Sequence, residues 1–197
     1  MTKEYIATRP ATVDDIPAII QMHRALADEC EYPRFLRTIP EDRVAKAIED
    51  PASHSRYFVA DDYFLDGYQD MVAEFREIAG FVHTGESPMA WNGQRGIYVD
   101  DLYVRPELNR NYPIGTSLLA RAALASIEHA DGNPDRAFVR IDLGHNTNDA
   151  TLGAYEGFDG LNTTNLRLEG RILKELAGNA FSLPGQRVSL GAVPPIQ

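Results

Sequence analysis

The sequence predicts a mixed α/β fold in a single domain, and three observations carry that expectation. Segments with strand patterning and segments with helical patterning follow one another in the order β-α-α-β-β-β-α-β-α-β. A chain of 197 residues is long enough for one well-buried core of this kind and short for two. Residues 97–104 are β-branched and aromatic on both alternating faces, as in a strand covered on both sides. We therefore expect a central mixed sheet flanked by helices over residues 1–177, followed by a tail at 178–197. No internal repeat or linker divides the chain.

The elements follow in order. Residues 5–9 form a short strand ending at Pro10. Thr12 with Asp15 approximates a capping box ahead of a helix whose stripe is Ile16, Ile19, Ile20, His23, Leu26 and Ala27, ending near Cys30. Thr38 with Glu41, and Pro40 in the first turn, open a second helix to about Ile48. Strands are expected at 56–60 and 78–84, with the acidic, aromatic stretch 61–77 between them as an extended hairpin or surface flap. A Gly/Pro/Asn loop at 85–96 carries the only tryptophan, Trp91. After the strand at 97–104 comes a helix over 114–130 with Leu118, Leu119, Ala122, Ala123 and Ile127 as its packing face. A strand at 137–143, a short helix at 148–156 and a strand at 166–172 complete the domain.

The 44% hydrophobic and 24% charged content excludes a disordered chain. No run approaches the ~18 apolar residues of a membrane span. The opening Met-Thr-Lys-Glu-Tyr-Ile lacks the apolar run of a secretory leader, and the single cysteine, Cys30, precludes an internal disulfide. These features lead us to expect a cytoplasmic protein. A net charge of −10 argues against phosphate-backbone partners and favours small cations such as amines.

Chemistry concentrates in residues 96–119. Asp100 and Asp101 stand in the middle of an otherwise apolar strand, where carboxylates are costly unless paired or used. A polar loop containing Arg110 follows, and then a helix opens near Pro113. A strand, a donor-rich loop and a helix N-terminus together make an anion site.

Particular residues give these features a name. The run Ile6-Ala-Thr-Arg-Pro-Ala-Thr-Val-Asp-Asp-Ile and the run Asp101-Leu-Tyr-Val-Arg-Pro-Glu resemble the opening strand and helix, and the approach to the pyrophosphate loop, of the GNAT superfamily of acetyl-CoA-dependent N-acetyltransferases. The resemblance covers roughly residues 4–175. The cluster from Trp91 to Val104 and the ending Leu166-Arg-Leu-Glu-Gly-Arg-Ile-Leu-Lys-Glu-Leu are most similar to the diamine/spermidine branch. It implies acetyl-CoA along Leu102, Tyr103 and Val104, with the loop Arg110, Asn111, Tyr112, Pro113, Ile114, Gly115 and Thr116 on the pyrophosphate. It also implies Asp100 as base, Asp101 as the acid holding the amine, and family habit implies a homodimer.

Three positions depart from the family pattern. Pro113 replaces the middle loop glycine and lacks an N–H; if that N–H bonds a phosphate, its loss costs roughly 1.5–3 kcal/mol, or about ten- to a hundredfold in affinity. The opposing reading is that proline suits a first helical turn and stiffens the loop. Asn111 replaces the first loop glycine but keeps its N–H. The family's Asn and the Tyr seven residues on, which protonates the departing thiolate, fit in two ways. Without gaps the Asn is Asn146 and the Tyr position is Gly153; with a shorter helix end the pair is Asn148 and Tyr155. We assign Tyr155 as the acid.

Neighbours on an ideal strand point oppositely, so Asp100 and Asp101 can serve one site only at a bulge; otherwise one pairs with an arginine such as Arg140. Glu29 and Glu31 extend an anionic pocket for a polyamine or are simply solvated. Trp91 walls an amine channel by cation–π contact or covers the core. His23 reads as a packed core residue, His83 and His145 as strand-end residues, and no metal-ligand spacing occurs. The leading reading is acetyl transfer to a small polyamine-like primary amine in a ternary complex, with no nucleic acid or membrane as partner. The alternatives are a catalytically weakened or inactive GNAT-fold binding module and an acetyltransferase of protein N-termini or lysines.

Overall fold

The computed structural model describes residues 3–30, 39–50, 52–65, 73–88, 93–108, 113–142 and 165–179. Its centre is a six-stranded sheet whose spatial order follows the chain. The strands are β1 (Lys3–Pro10), β2 (Ser55–Leu65), β3 (Ala73–Pro88), β4 (Arg95–Val104), β5 (Ala137–Asp142) and β6 (Asn165–Glu169). All neighbours are antiparallel except β4 and β5, which run parallel because helix α3 (Ile114–His129) crosses between them. Helices α1 (Ile16–Glu29) and α2 (Glu41–Glu49) cover one face. On the other face α3 packs beside α4 (Gly170–Asn179).

The two faces differ in composition. Under α3 lie Phe58, Val82, Ile97, Val99, Val139 and Ile141, closed from above by Leu118, Leu119, Ala122 and Ala123. The alanines let the helix approach the sheet closely and are the best intrinsic helix formers. Within the sheet, Gly96 makes room for its β5 neighbour, since a Cβ there would lie 2.5 Å from the Phe138 carbonyl oxygen. At its C-terminal end α3 is closed by Gly132, at φ 76°, whose N–H bonds the Ile127 carbonyl at 2.9 Å. Beneath α1 lie Tyr57, Val59, Phe81 and Tyr103, an aromatic layer.

Several expected boundaries move. β2 and β3 are longer than expected and pair from Ser55–Gly85 out to Leu65–Ala73, so residues 61–65 and 73–77 are paired as the outer part of an extended hairpin, the first of the two expectations for this stretch. Residues 85–88, expected as loop, continue β3. Acidic residues are tolerated in the hairpin because Arg9 donates to Asp61 at 2.6 and 3.0 Å and to Asp15 at 2.6 and 2.9 Å. The Thr12–Asp15 box is present, with the Asp15 carboxylate accepting the Thr12 N–H at 2.7 Å, but it opens a 3-10 turn (Val13–Asp15) before α1. Pro40 stands just outside α2 rather than in its first turn. The strand expected at 166–172 ends at Glu169, and Gly170 begins α4. The helix expected at 148–156 lies outside the described residues, as does Thr38.

Candidate active site

The decisive local feature is in β4. Across the β3–β4 ladder His83 faces Asp101 and Thr84 faces Val99, so Asp100 is one residue too many. That extra residue is a β-bulge, and it inverts the alternation of side chains beyond it. Ile97 and Val99 face α3 before the bulge; Leu102 and Val104 do so after it, while Tyr103 joins the aromatic layer. Both acids thereby reach one imidazole: Asp100 Oδ2 and Asp101 Oδ2 each lie 3.7 Å from His83 Nδ1. The two carboxylates share a face because of the bulge.

Two histidines and a tyrosine build the surroundings. His83 contacts the Ser55 hydroxyl through Nε2 at 2.5 Å and stacks on Tyr57 at 4.3 Å and 10°. Its Nδ1 is buried without a hydrogen-bond partner among the described residues. His23, on α1, lies against Phe81, with Nε2 3.2 Å from the Tyr57 hydroxyl and Nδ1 3.7 Å from Asp101 Oδ2. Burial pushes His23 down to about 4, against the pull of Asp101 and with the push of His83. Burial, and then the charges of Asp101 and Asp100, push the Tyr57 hydroxyl up. Near neutral pH, therefore, Tyr57 is protonated and His23 is neutral. The tautomer that uses both contacts has Tyr57 donating to Nε2 and the ring proton on Nδ1, toward Asp101.

Asp100 is the tuned carboxylate. Partial burial raises its pKa, His83 opposes that, and the charge of Asp101 adds to it. A carboxylate raised in this way accepts a proton more readily than an ordinary surface acid. Next to Asp101 opens a cleft of about 680 Å³ between α2 and the strands, bordered also by Arg43, Lys46, Ser55, Tyr57 and His83. That is the volume of a small-molecule site.

The bulge also marks where β4 leaves β5. Their parallel ladder ends at Val99–Ile141, whereas the β3–β4 ladder continues to Val104–Gly80. Residues 100–104 thus have no ladder partner on the β5 side among the described residues. Helix α3 begins over this edge: a Cβ on Gly115 would meet Leu102 and Val104 at 3.9 Å, ordinary contact. The helix has no side-chain cap. Pro113 occupies the capping position, where its carbonyl accepts from the Ser117 N–H at 2.9 Å and the Ser117 hydroxyl at 3.1 Å. The amides of Ile114, Gly115 and Thr116 are those a helix leaves without internal partners, at the positive end of its dipole. This corrects the reading of Pro113 inside the first turn: it precedes the turn and, lacking an N–H, leaves three of the usual four free donors.

The remaining sequence-derived residues divide into two groups. Trp91, Arg110, Asn111, Tyr112, Asn146, Asn148 and Tyr155 lie outside the described residues, as do Glu31, His145 and Gly153. Glu29 is exposed at the end of α1 and is not among the residues bordering the cleft; it acts on Tyr103, whose hydroxyl is raised first by burial and then by Glu29. Leu102 and Val104 turn to α3 while Tyr103 turns to α1, so the three share only their backbone edge. His83 is inside β3, not at a strand end. Burial pushes the Cys30 thiol up, the reverse of an activated nucleophile. His23 is buried as expected, yet it also faces Asp101. Tyr57, Ser55, Arg43 and Lys46 were not singled out in the sequence; only the pairing of β2 with β3 and the seat of α2 bring them together. Among the described residues no helix is long and apolar enough to cross a membrane, and no three acidic, histidine or cysteine side chains gather as a metal site.

Comparison with known proteins finds no matching family model and no matching curated protein. Solved structures do match. An aminoglycoside acetyltransferase from an uncultured soil metagenomic sample, crystallised with sisomicin, is 16% identical, with 80% of this chain and 90% of that one covered and a TM-score of 0.54. A GCN5-related N-acetyltransferase from Ralstonia eutropha is 18% identical over 80% of this chain and 94% of its own, with a TM-score of 0.52. The fold is that of the GCN5-related N-acetyltransferases. At such identities the likeness is one of GNAT architecture: the mixed sheet, the parallel β4–β5 pair and the crossing helix.

Proposed function

We propose that the protein is an acetyl-CoA-dependent N-acetyltransferase that modifies a primary amine by direct transfer within a ternary complex. The observation that carries this reading is the bulge at Asp100, which puts two carboxylates on one face where β4 parts from β5. The residues present fit the cofactor. The Ile114, Gly115 and Thr116 amides offer three donors to a pyrophosphate, and the unpartnered edge of residues 100–104 offers backbone groups to an extended pantetheine arm. Pro113 leaves these three donors in place, and its own missing N–H is the one departure that would weaken the cradle.

When bound, acetyl-CoA supplies an acetyl thioester as electrophile. Asp101 holds the acceptor as its ammonium ion, the form that dominates near pH 7. Asp100 takes the proton that must leave before nitrogen can attack, and its raised pKa suits that task. His83 faces both carboxylates at 3.7 Å and hydrogen-bonds neither among the described residues. Tyr155 is the proposed residue that would give a proton to the departing thiolate. Asp101 suits a primary amine in general, and by itself does not single out a polyamine.

Acetyl-CoA is expected to raise the melting temperature of the purified protein. By mass action a hundredfold excess over Kd stabilises by about 2.7 kcal/mol. No shift at millimolar acetyl-CoA would overturn the reading.

A further inference from the structure

The cleft beside the two acids is not uniformly acidic. Its opposite wall is α2, whose Arg43 and Lys46 border the same space as Asp101 and His83. Both side chains are exposed, and among the described residues neither has an acidic partner. Two cations without an acidic partner among the described residues, together with the Asp101 carboxylate and Asp100 next to it in the chain, make an amphoteric cleft in a protein whose overall charge is −10. A guanidinium with an ammonium nearby is the donor set that recognises a carboxylate or a phosphate.

We propose that Arg43 and Lys46 form an anion subsite, and that the acceptor is a small molecule carrying a carboxylate or phosphate in addition to its primary amine. The amine end lies against Asp101 and Asp100; the anionic end lies against α2. The same two cations repel the far ammonium of a diamine, so the cleft discriminates against simple polyamines by repulsion as well as by attraction. This inference rests on the acetyltransferase reading for its chemistry, but the subsite is a binding claim in its own right.

The test uses the full chain and pairs of acceptors that differ only in the anion: lysine against cadaverine, phosphoethanolamine against ethanolamine, and glucosamine 6-phosphate against glucosamine. Thermal shift measures binding, and thiol release with acetyl-CoA measures turnover. The anionic member of at least one pair should bind about tenfold or more tighter, the scale of one charge-assisted hydrogen bond. Whether the carboxylate or the phosphate pair shows the preference identifies the anion. In the double variant Arg43→Ala/Lys46→Ala the preference should collapse toward unity; both positions are exposed on a helix that tolerates alanine, and circular dichroism checks its folding. Equal binding within every pair, tighter binding of cadaverine, or a preference that survives the double variant would overturn the proposal. Anion-dependent binding that the variant abolishes, without turnover of any acceptor, would uphold the subsite and overturn the acetyltransferase reading.

Discussion

The face of the sheet beneath α1 carries two clusters made from similar parts, and they end up in opposite states. In one, Asp15 and Asp61 flank Arg9; in the other, Asp100 and Asp101 flank His83. Arg9 closes its cluster with four hydrogen bonds of 2.6–3.0 Å to carboxylates that are almost wholly buried. Burial would raise Asp15, but the hydrogen bonds from Arg9 and from the Thr12 N–H outweigh it and bring its pKa below the usual range. In the second cluster every imidazole–carboxylate distance is 3.7 Å, Nδ1 of His83 is unbonded, and Asp100 is raised instead. A permanently charged fork with five donors satisfies two acids completely. An imidazole cannot, and it leaves them able to take a ligand and a proton. One cluster is a fastening and the other is open for chemistry.

Three experiments can break that contrast. The largest effect is expected from Asp100→Asn, which should lower kcat by about 10²–10⁴-fold while moving stability by no more than about 0.5 kcal/mol, since its side chain is 40% exposed. An active variant, or one that unfolds, would remove Asp100 from the chemistry. Next comes Arg9→Met, which leaves two buried carboxylates without their partner and should cost about 3 kcal/mol in denaturant unfolding, with kcat of the folded fraction unchanged. A small loss would mean that the first cluster is not the fastening described here.

The smallest effect is in pH. His23 is displaced from 6.5 down to about 4 by burial, with Asp101 and His83 facing it. Between those values the unfolded chain binds a proton that the folded chain refuses. Stability is therefore full above about pH 6.5 and falls as the pH drops toward 4. Displacement is worth about 1.4 kcal/mol per unit, so the fall attributable to this ring by pH 4 is at most about 3 kcal/mol. His23→Leu should flatten that window relative to wild type in urea midpoints, and an unchanged slope would mean that the ring titrates normally.

Most of the architecture was legible because it is written in local patterns. The strand at 97–104, the helix at 114–130 and the alternation of element types needed only periodicity. The bulge was partly legible too, since the apolar positions 97, 99, 102 and 104 slip by one at the two acids. What could not be read was anything set by pairing across long separations. Arg9 meets Asp61 across 52 positions, so the sequence left the acidic stretch open between an extended hairpin and a flap, and pairing at long range decides for the hairpin. His23 was correctly placed on the packed face of α1, but nothing local says that β4 delivers Asp101 to it. The end of β6 failed for a different reason. Leu166-Arg-Leu-Glu-Gly-Arg-Ile-Leu alternates as a strand would, and short apolar runs do not distinguish a strand from the start of a helix.

The single extra residue at position 100 has a consequence for how this chain can change. Side-chain direction along β4 behaves like a reading frame, and the bulge shifts it once, between the core under α3 and the edge beside the cleft. Deleting Asp100 would restore the frame, turning Leu102 and Val104 toward α1 and pressing Asp101 and Tyr103 into the alanine-lined interior. The core and the acid pair are thus set by one and the same register. A length change in this strand would therefore disturb the core and the acid pair at once.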